Sequence, residues 1–252
     1  MAAKKYIYDC REWTEEEMRR LVKLRGKMAS RAIATLQMVE GDVILDVGCG
    51  AGEFAYHIAP RVSKVVAIDT LETSIEIARD FFSLPNIDFV VGDLFQMKFP
   101  NYSFDCVLFL ETIEHVENPT LYLKEFHRLL KPGGFLIIST PNALSYSSIV
   151  RNIFFYFSKM ISLVVRNINK EQRDTGTNLD HIYAWDFTTL YRLLNRCGFT
   201  YVDHAFAGFW PVTVNLLRWW RLRFPFWTKK ETKVMSLLKP FALNLVFKVQ
   251  KI

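Results

Sequence analysis

Seven short stretches of the chain are rich in apolar residues, and segments with a helical repeat of apolar positions separate most of them. Short apolar runs bounded by Gly, Pro, Asn or Asp are typical of buried strands. The predicted strands are Val43–Val47, Lys64–Ile68, Ile87–Val91, Phe104–Leu110, Phe135–Thr140, Phe199–Phe206 and Leu245–Val249.

Helical segments follow the first, second, fourth and fifth of these strands. Their apolar residues recur every three or four positions, which gives each helix one face to bury. The predicted helices are Gly52–Ile58, Leu71–Ser83, Pro119–Leu130 and Phe187–Arg196. Alternating strands and helices predict an α/β fold: a doubly wound, Rossmann-like, mostly parallel seven-stranded sheet. We expect the last strand to be antiparallel, at the edge of the sheet.

A chain of 252 residues is expected to form a single domain with additions to its core. Residues 1–40 are charged and helix-prone, and they are predicted to form a helical cover over one edge of the sheet. Residues 143–180 and 209–240 are predicted to be apolar, basic, helical insertions after strands five and six.

The net charge of +6 is unevenly distributed. Residues 1–142 contain 16 Lys and Arg against 20 Asp and Glu, whereas residues 143–252 contain 16 against 6. A basic segment rich in Phe and Trp favours an acidic partner such as a membrane surface or a nucleic acid. A solvated basic face is the alternative.

Residues 147–166 combine a narrow polar edge with a broad apolar face. A transmembrane helix needs ~20 mostly apolar residues, and this stretch contains charges. It is therefore predicted to lie on a bilayer interface, to cover the active site as a lid, or to be an ordinary core helix.

The four cysteines are far apart, without C-x-x-C spacing, and the first 30 residues lack the apolar core of a signal peptide. These features predict reduced thiols and a cytoplasmic protein, with peripheral contact at the inner face of the membrane as a further expectation.

A glycine-rich turn follows the first predicted strand, in the sequence V-I-L-D-V-G-C-G-A-G from Val43 to Gly52. The dinucleotide fingerprint would require glycine where Glu53 stands, and a P-loop would require Lys followed by Ser or Thr. Asp46, two residues before Gly48, suits a positively charged ligand instead. An ordinary glycine turn of an α/β domain remains the alternative.

The pattern D-x-G-x-G-x-G resembles motif I of the class I S-adenosylmethionine (SAM) methyltransferases. An acid-rich strand end, a helix, a K-P-G-G turn and a further strand follow in the order of that family. The resemblance covers residues 39–142 and implies SAM as the cofactor. The implied cofactor-binding residues are Asp46, Gly48, Cys49, Gly50, Asp69, Thr70, Asp93, Leu94 and Leu110.

Two of these acids have more specific expected roles. Asp69 lies 19 residues after Gly50, where an acid of Rossmann-like sites binds both ribose hydroxyls. The resemblance implies that Asp93 accepts a hydrogen bond from the adenine amino group, and that the backbone N–H of Leu94 meets a ring nitrogen.

A second group of polar residues follows the fourth predicted strand. Glu111, Glu114 and His115 have the spacing that places side chains on one helical face, and His181 comes later in the chain. The E-x-x-E-H pattern resembles the ubiquinone-biosynthesis O-methyltransferases and the small-RNA 2′-O-methyltransferases. That resemblance implies a divalent cation, Mg²⁺ or alternatively Mn²⁺ or Fe²⁺, held by these four residues. Without a metal, His115 or His181 is predicted to act as a catalytic base.

The sequence therefore predicts methyl transfer from SAM to a hydroxyl oxygen of a small amphiphilic acceptor, such as a prenylated phenol or quinol or a lipid-linked sugar. An RNA 2′-O-methyltransferase is the first alternative, although nucleic acid is the less favoured partner. A non-catalytic SAM-binding assembly subunit is the second.

Overall fold

The computed structural model describes residues 42–145, 148–149, 153, 182–207 and 244–252. The predicted N-terminal cover of residues 1–40 lies outside the described residues. So do nearly all of the predicted insertions at 143–180 and 209–240, and also Cys10 and His181.

Seven strands form one sheet. They are β1 Val43–Val47, β2 Lys64–Asp69, β3 Ile87–Val91, β4 Phe104–Leu110, β5 Leu130–Pro141, β6 Phe199–Ala207 and β7 Asn244–Lys251. Their order across the sheet is β3-β2-β1-β4-β5-β7-β6. The pairs from β3 to β5 are parallel, and β7 is antiparallel to both of its neighbours. This confirms the predicted fold class, a doubly wound and mostly parallel sheet.

Four α-helices lie between the strands in the ranges that the structure describes. They are α1 Glu53–Ile58, α2 Glu72–Phe82, α3 Pro119–Leu129 and α4 Phe187–Arg196, each within one or two residues of its predicted bounds. Asp186 caps the N-terminus of α4, because its side chain accepts hydrogen bonds from the backbone N–H groups of Thr188 and Thr189. Gly198, with φ +87°, ends the helix as glycine commonly does.

The predicted position of the last strand was wrong. Its direction is antiparallel as expected, but β7 lies between β5 and β6. Strand β6 is therefore the edge strand on that side of the sheet, and β3 is at the opposite edge. The apolar pattern of β7 explains this placement. Five consecutive residues from Leu245 to Val249 are buried, as expected for a strand with neighbours on both sides and cover on both faces.

Strand β5 begins five residues earlier than predicted, because Leu130 already pairs with Phe104 of β4, and the K-P-G-G segment bulges out before pairing resumes at Phe135. The pairing register shifts between Phe104 and Cys106. A Cβ on Gly134 would stand 2.9 Å from the carbonyl oxygen of Asp105, so only glycine permits this close approach. Lys131 also binds the Asp105 carboxylate, at 2.8 Å.

The core has two parts, one on each face of the sheet. Helices α1 and α2 cover one face, where they pack on residues such as Ile44, Val65 and Leu108. Helices α3 and α4 cover the other, where they pack on Leu45, Phe109 and Phe247 among others. Side chains of successive strand residues point to opposite faces, which explains why neighbours such as Ile44 and Leu45 belong to different parts.

The three described cysteines, Cys49, Cys106 and Cys197, are free and buried, as the prediction of reduced thiols requires. Among the helices of the described ranges, none is long and apolar enough to cross a bilayer.

Candidate active site

The parallel strands β1 to β4 all end at the same edge of the sheet, and most of the predicted site residues follow those ends. Strand β2 lies beside β1 on one side, and β3 lies beyond β2. The chain then returns to place β4 on the other side of β1. Such a reversal opens a crevice at the carboxyl ends of the strands, where open α/β sheets bind ligands. The glycine turn after β1 lies at this point.

Hydrogen bonds from backbone N–H groups fix the glycine turn against β2. The N–H groups of Gly48 and Cys49 donate to the carbonyl oxygen of Ile68, at 2.9 and 3.0 Å. The N–H of Gly50 donates to Oδ2 of Asp69 at 2.9 Å. The predicted glycine residues and the predicted ribose acid are therefore in direct contact.

The three glycines of the turn have different physical roles, although all have positive φ. A Cβ on Gly48 would lie 2.7 Å from Cγ2 of Thr112, and one on Gly52 would lie 2.6 Å from Cε1 of Phe89. A Cβ on Gly50 would meet nothing within 4 Å. Gly48 and Gly52 are thus required by internal packing, whereas Gly50 faces open space into which a ligand can come close to the backbone.

Three acids surround this turn. Asp46 and Glu53 are 1% and 2% exposed, and Asp69 is half-buried. Burial, followed by the negative charges of Glu53 and Asp69, raises the pKa of Asp46 to about 8. A ligand with positive charge would relieve this accumulation of negative groups.

The other predicted cofactor residues lie at the same edge. Asp69 also accepts a hydrogen bond from the backbone N–H of Leu71 at 2.9 Å, and Thr70 beside it is exposed. Asp93 is half-buried, and its Oδ1 accepts from the N–H of Phe95 at 2.8 Å. The side chain of Leu94 is buried. Each carboxylate keeps further lone pairs for a ligand.

Cys49 and Leu110 are packing residues of the crevice. Cys49 is 4% exposed, and burial, followed by the nearby carboxylates, raises the pKa of its thiol well above the usual range. Such a thiol is an inert small residue. Leu110, the last residue of β4, is half-buried and packs against the core beneath α1 and α2.

The residues after β4 do not form the predicted helix. Glu111 has φ +51°, a left-handed conformation that is unusual for glutamate, and a single turn follows in which the N–H of His115 donates to the carbonyl oxygen of Thr112. Glu111, Glu114 and His115 therefore do not share a helical face. The left-handed residue turns the chain sharply as it leaves the strand, which a regular helical continuation would not do.

Glu111 and Glu114 accept hydrogen bonds from the ends of neighbouring strands. The hydroxyl of Ser139 donates to Oε1 of Glu111 and the amide of Asn244 donates to Oε2, both at 2.6 Å. Oε2 of Glu114 accepts from the hydroxyl of Thr140 at 3.0 Å. Glu114 is 1% exposed, and burial, followed by the charge of Glu111, raises its pKa to about 8.

His115 occupies a different environment from Glu114. Its side chain is 38% exposed, and Nε2 lies 3.9 Å from Oε1 of Glu114. The imidazole is thus accessible at the mouth of the crevice, with a buried carboxyl behind it. At 3.9 Å the two groups are close enough for an electrostatic interaction but too far apart for a hydrogen bond.

The predicted metal ligands do not assemble into a metal site within the described ranges. No group of three or more His, Cys, Asp or Glu side chains there could hold an ion. Both oxygens of Glu111 and one of Glu114 point to hydroxyl or amide donors instead. The fourth predicted ligand, His181, lies outside these ranges.

The segment that follows residue 181 is held against the turn after β4. The N–H groups of Ile182 and Tyr183 donate to the carbonyl oxygen of Glu114, at 2.7 and 3.3 Å. The phenol of Tyr183 donates to the carbonyl oxygen of Glu117 at 2.9 Å. Trp185 forms a β-bridge with Asn142 at the end of β5. These contacts join the loops after β4 and β5 on the side of the crevice away from β2.

Sequence reasoning missed several residues of this region. Thr112 packs on Gly48, Ser139 and Asn244 bind Glu111, and the indole nitrogen of Trp185 is buried without a hydrogen-bond partner among the described residues. Asn244 is 133 positions from Glu111 in sequence, so no local pattern could indicate the contact. The D-x-G-x-G-x-G motif, in contrast, is a local signal.

Comparison with known proteins agrees with this geometry. Residues 45–138 match a methyltransferase domain. That match begins within β1 and ends within β5, so it includes the glycine turn, the acids after β2 and β3, and the turn after β4. The comparison supports a SAM-dependent methyltransferase domain in this part of the chain.

Three relatives have informative names. A "Probable S-adenosylmethionine-dependent methyltransferase" of Mycolicibacterium smegmatis is 33% identical over 65% of this chain and 54% of its own length. A ubiquinone biosynthesis O-methyltransferase of Rickettsia canadensis is 37% identical over 42% of this chain and 46% of its own. A demethylmenaquinone methyltransferase of Clavibacter sepedonicus is 29% identical over 69% and 71%, respectively. The chain thus spans only about half the length of the first two.

Solved structures share the fold at low sequence identity. A SAM-dependent methyltransferase of Aquifex aeolicus superposes with a TM-score of 0.57 and 16% identity, covering 96% of this chain and all of that one. At this level of identity the likeness establishes the Rossmann-like fold.

Proposed function

We propose that this chain is a SAM-dependent methyltransferase that methylates a hydroxyl oxygen of a small amphiphilic acceptor. The observation that carries the proposal is the slot after β1. Its backbone is open at Gly50 and it is bordered by Asp46 and Asp69. A slot with exposed backbone and acidic walls suits a cosubstrate that has a sulfonium, an ammonium and a ribose diol.

Four of the predicted cofactor residues have proposed roles consistent with their positions. Asp69 has lone pairs left for the ribose hydroxyls while it holds the N–H of Gly50. Asp93 and Leu94 follow β3 at the same edge of the sheet, so the adenine ring is proposed to lie beyond the ends of β2 and β3 with its amino group near Asp93. Asp46 supplies negative charge from beneath the turn.

The acceptor is proposed to bind on the β4–β5 side of the slot. His115 is the accessible basic group there, and Glu114 lies behind it at 3.9 Å. As the acceptor oxygen attacks the methyl carbon, His115 takes the hydroxyl proton, and the carbon–sulfur bond breaks with its electron pair passing to sulfur. Alignment of the two reactants in this crevice supplies the larger part of the rate enhancement.

An amphiphilic acceptor is proposed because of three features. Relatives named for ubiquinone and menaquinone synthesis are similar to this chain. The described residues on this side include exposed apolar side chains, among them Leu144, Ile182 and Tyr183. The sequence from residue 143 onward is strongly basic and rich in aromatic residues. Contact with an anionic membrane surface remains a prediction on the same grounds. A cytoplasmic location remains a prediction from the widely spaced cysteines.

The function is tested by incubating the protein with methyl-labelled SAM and extracts of lipid, phenol and RNA. Label in a prenylated phenol or lipid-linked sugar is the expected result. Label in a ribose 2′-oxygen would favour the RNA alternative. SAM binding without transfer to any extract would favour a non-catalytic assembly subunit.

The predicted divalent cation is tested in the same assay. Turnover that disappears after exhaustive chelation and returns with Mg²⁺ would support a site that includes His181. Turnover that survives chelation and is lost in His115→Ala assigns the proton transfer to His115 alone. Glu114→Gln separates metal-dependent turnover from proton transfer by His115 alone. The amide keeps an acceptor for the Thr140 hydroxyl but is a poor ligand for a cation.

A further inference from the structure

The carboxyl group of Asp46 has an oxygen that the described structure leaves without a partner. The residue is 1% exposed, and Oδ2 is buried without a hydrogen bond among the described residues. Buried polar atoms in proteins are nearly always hydrogen-bonded. An ionised carboxylate in this state is strongly disfavoured unless a proton or a cation accompanies it.

The groups around Asp46 add negative charge. Glu53 projects from α1 and Asp69 from the end of β2, and both disfavour ionisation of Asp46. The thiols of Cys49 and Cys106, in the turn and on β4, respond to the same carboxyl group, and burial keeps both of them protonated. Burial and these neighbouring acids favour the neutral form of the Asp46 carboxyl group and raise its pKa to about 8.

The carboxyl group of Asp46 interacts electrostatically with the glycine turn, because its charge acts on Cys49 within the turn and on Asp69, which accepts a hydrogen bond from the N–H of Gly50. Asp46 is two residues before Gly48, and the slot is open at Gly50. The carboxylate of Asp69 holds the N–H groups of Gly50 and Leu71, so the turn is already braced without Asp46. The unpartnered oxygen is thus available for an interaction that appears only with ligand.

We propose that Asp46 responds to the charge of the ligand: it is a neutral acid in the empty slot and loses its proton to solvent when a positively charged cosubstrate enters. The inference rests on the proposed function and deepens it. The acid O–H bond breaks, the proton passes to buffer, and the remaining carboxylate faces the cation. Asp46 thereby becomes a residue that makes the slot selective for cationic ligands.

Two quantities follow from this proton release. At pH 7 a carboxyl with a pKa of about 8 is roughly nine-tenths protonated, so binding releases about 0.9 proton per ligand. The affinity for SAM also rises with pH over the range in which Asp46 is protonated before the ligand binds, because binding must then remove its proton. Between pH 6 and pH 8 the rise is up to about fifty-fold, and it levels off above pH 8.

The proposal is tested by titration calorimetry of the full chain with SAM at pH 7, in buffers that have different enthalpies of ionisation. The slope of observed heat against buffer enthalpy gives the number of protons released. Asp46→Asn is the test variant, because it keeps the shape of the neutral acid but has no proton to lose. Asp88→Asn is the matched control, because it removes an exposed carboxylate of β3 that pairs with Lys64.

The expected slope is close to one proton for the wild-type protein and for Asp88→Asn, and close to zero for Asp46→Asn. The ligand's own amino group has a pKa of about 8, and its ionisation contributes equally to the slopes of the three proteins. The difference in slope between them therefore reports on Asp46 alone. A wild-type slope near zero, or an equal slope in Asp46→Asn, overturns the proposal.

Failure of the proposed function has a different signature. If SAM gives no heat in any buffer and no shift in the thermal unfolding of the wild-type protein, the slot does not bind SAM. If SAM binds with heat that does not depend on the buffer, only the role of Asp46 is lost. Should Asp46→Asn fail to fold, the wild-type dissociation constant at pH 6 and pH 8 decides, because equal values contradict proton release.

Discussion

Replacing each glycine of the turn by alanine separates packing from ligand binding. Each position has positive φ, +73° at Gly48, +55° at Gly50 and +86° at Gly52. The left-handed conformation costs an L-residue about 1–2 kcal/mol, and the lower entropy of the unfolded alanine chain offsets about 0.4–1 kcal/mol of this. The backbone contribution at each position is therefore about 1 kcal/mol.

Steric contact makes the three variants differ. At Gly52 the new Cβ would stand 2.6 Å from Cε1 of Phe89 and 2.9 Å from the Cβ of Ala78, so β3 or α2 must shift. Overpacking of this kind costs about 1–3 kcal/mol more. Gly48→Ala meets Thr112 at 2.7 Å and has a similar penalty. Gly50→Ala meets nothing within 4 Å, so only the backbone contribution applies.

The assay is a pair of measurements on the three variants, thermal unfolding and SAM titration. For a chain of this size 1 kcal/mol corresponds to about 2–4 °C in Tm. We expect Gly50→Ala to lose no more than about 4 °C in Tm and at least ten-fold in SAM affinity, which is about 1.4 kcal/mol. Gly52→Ala is expected to lose about 4–16 °C in Tm, from a summed penalty of about 2–4 kcal/mol.

The reasoning would be refuted if Gly50→Ala bound SAM as tightly as the wild-type protein. In that case the open space beside Gly50 is not where the ligand lies. A Gly52→Ala variant with unchanged Tm would contradict the packing argument separately, because it would show that Phe89 can move aside at no cost.

Three further predictions concern the acids and the histidine. Asp46→Asn should raise the free energy of unfolding at pH 7, by at most about 4 kcal/mol from the shifted pKa, measured by chemical denaturation. The folded pKa of about 8 lies above the unfolded value of 3.8, so the carboxyl group destabilises the fold increasingly from pH 4 to pH 8, and the variant should lose that decline. Asp69→Asn should weaken SAM binding by about ten-fold to a hundred-fold in calorimetry, because the amide replaces a charge-assisted partner of the Gly50 N–H. An affinity equal to that of the wild-type protein would argue against a role for this contact in SAM binding. His115→Ala should lower kcat by about a hundred-fold with unchanged SAM affinity, whereas His57→Ala, on α1 away from the turn after β4, serves as the control with normal kcat.

The cofactor side of the site could be predicted from sequence because its determinants are local. Strand, glycine turn and helix are consecutive in the chain, and the acids Asp69 and Asp93 directly end or follow strands that the apolar pattern indicates. Parallel strands end at one edge of the sheet. The position of each acid at or after the end of its strand was therefore sufficient to predict that Asp69 and Asp93 lie at the same edge.

The other side of the site depends on contacts between distant parts of the chain. Glu111 has a left-handed backbone that no feature of glutamate indicates, and its partner Asn244 belongs to the last strand. The expectation of a shared helical face for Glu111, Glu114 and His115 followed from their spacing alone. In the folded chain the hydrogen bonds with Ser139 and Thr140 orient the two carboxyl groups instead, while His115 remains accessible.

The position of β7 was missed for a related reason. The sequence pattern of a strand gives its burial but not its neighbours, and an edge position was assumed because the strand comes last. Insertion between β5 and β6 brings Asn244 beside Pro141, at the end of the sheet that binds ligand. This placement is what allows the last strand to contribute a residue to the turn after β4.

The central claim is that the slot after β1 binds SAM, and titration calorimetry of the purified full chain tests it most directly. SAM and its demethylated product should each give saturable heat with about one site per chain, and NAD and ATP should give none. Saturable heat with NAD or ATP, and none with SAM or its product, would contradict the account.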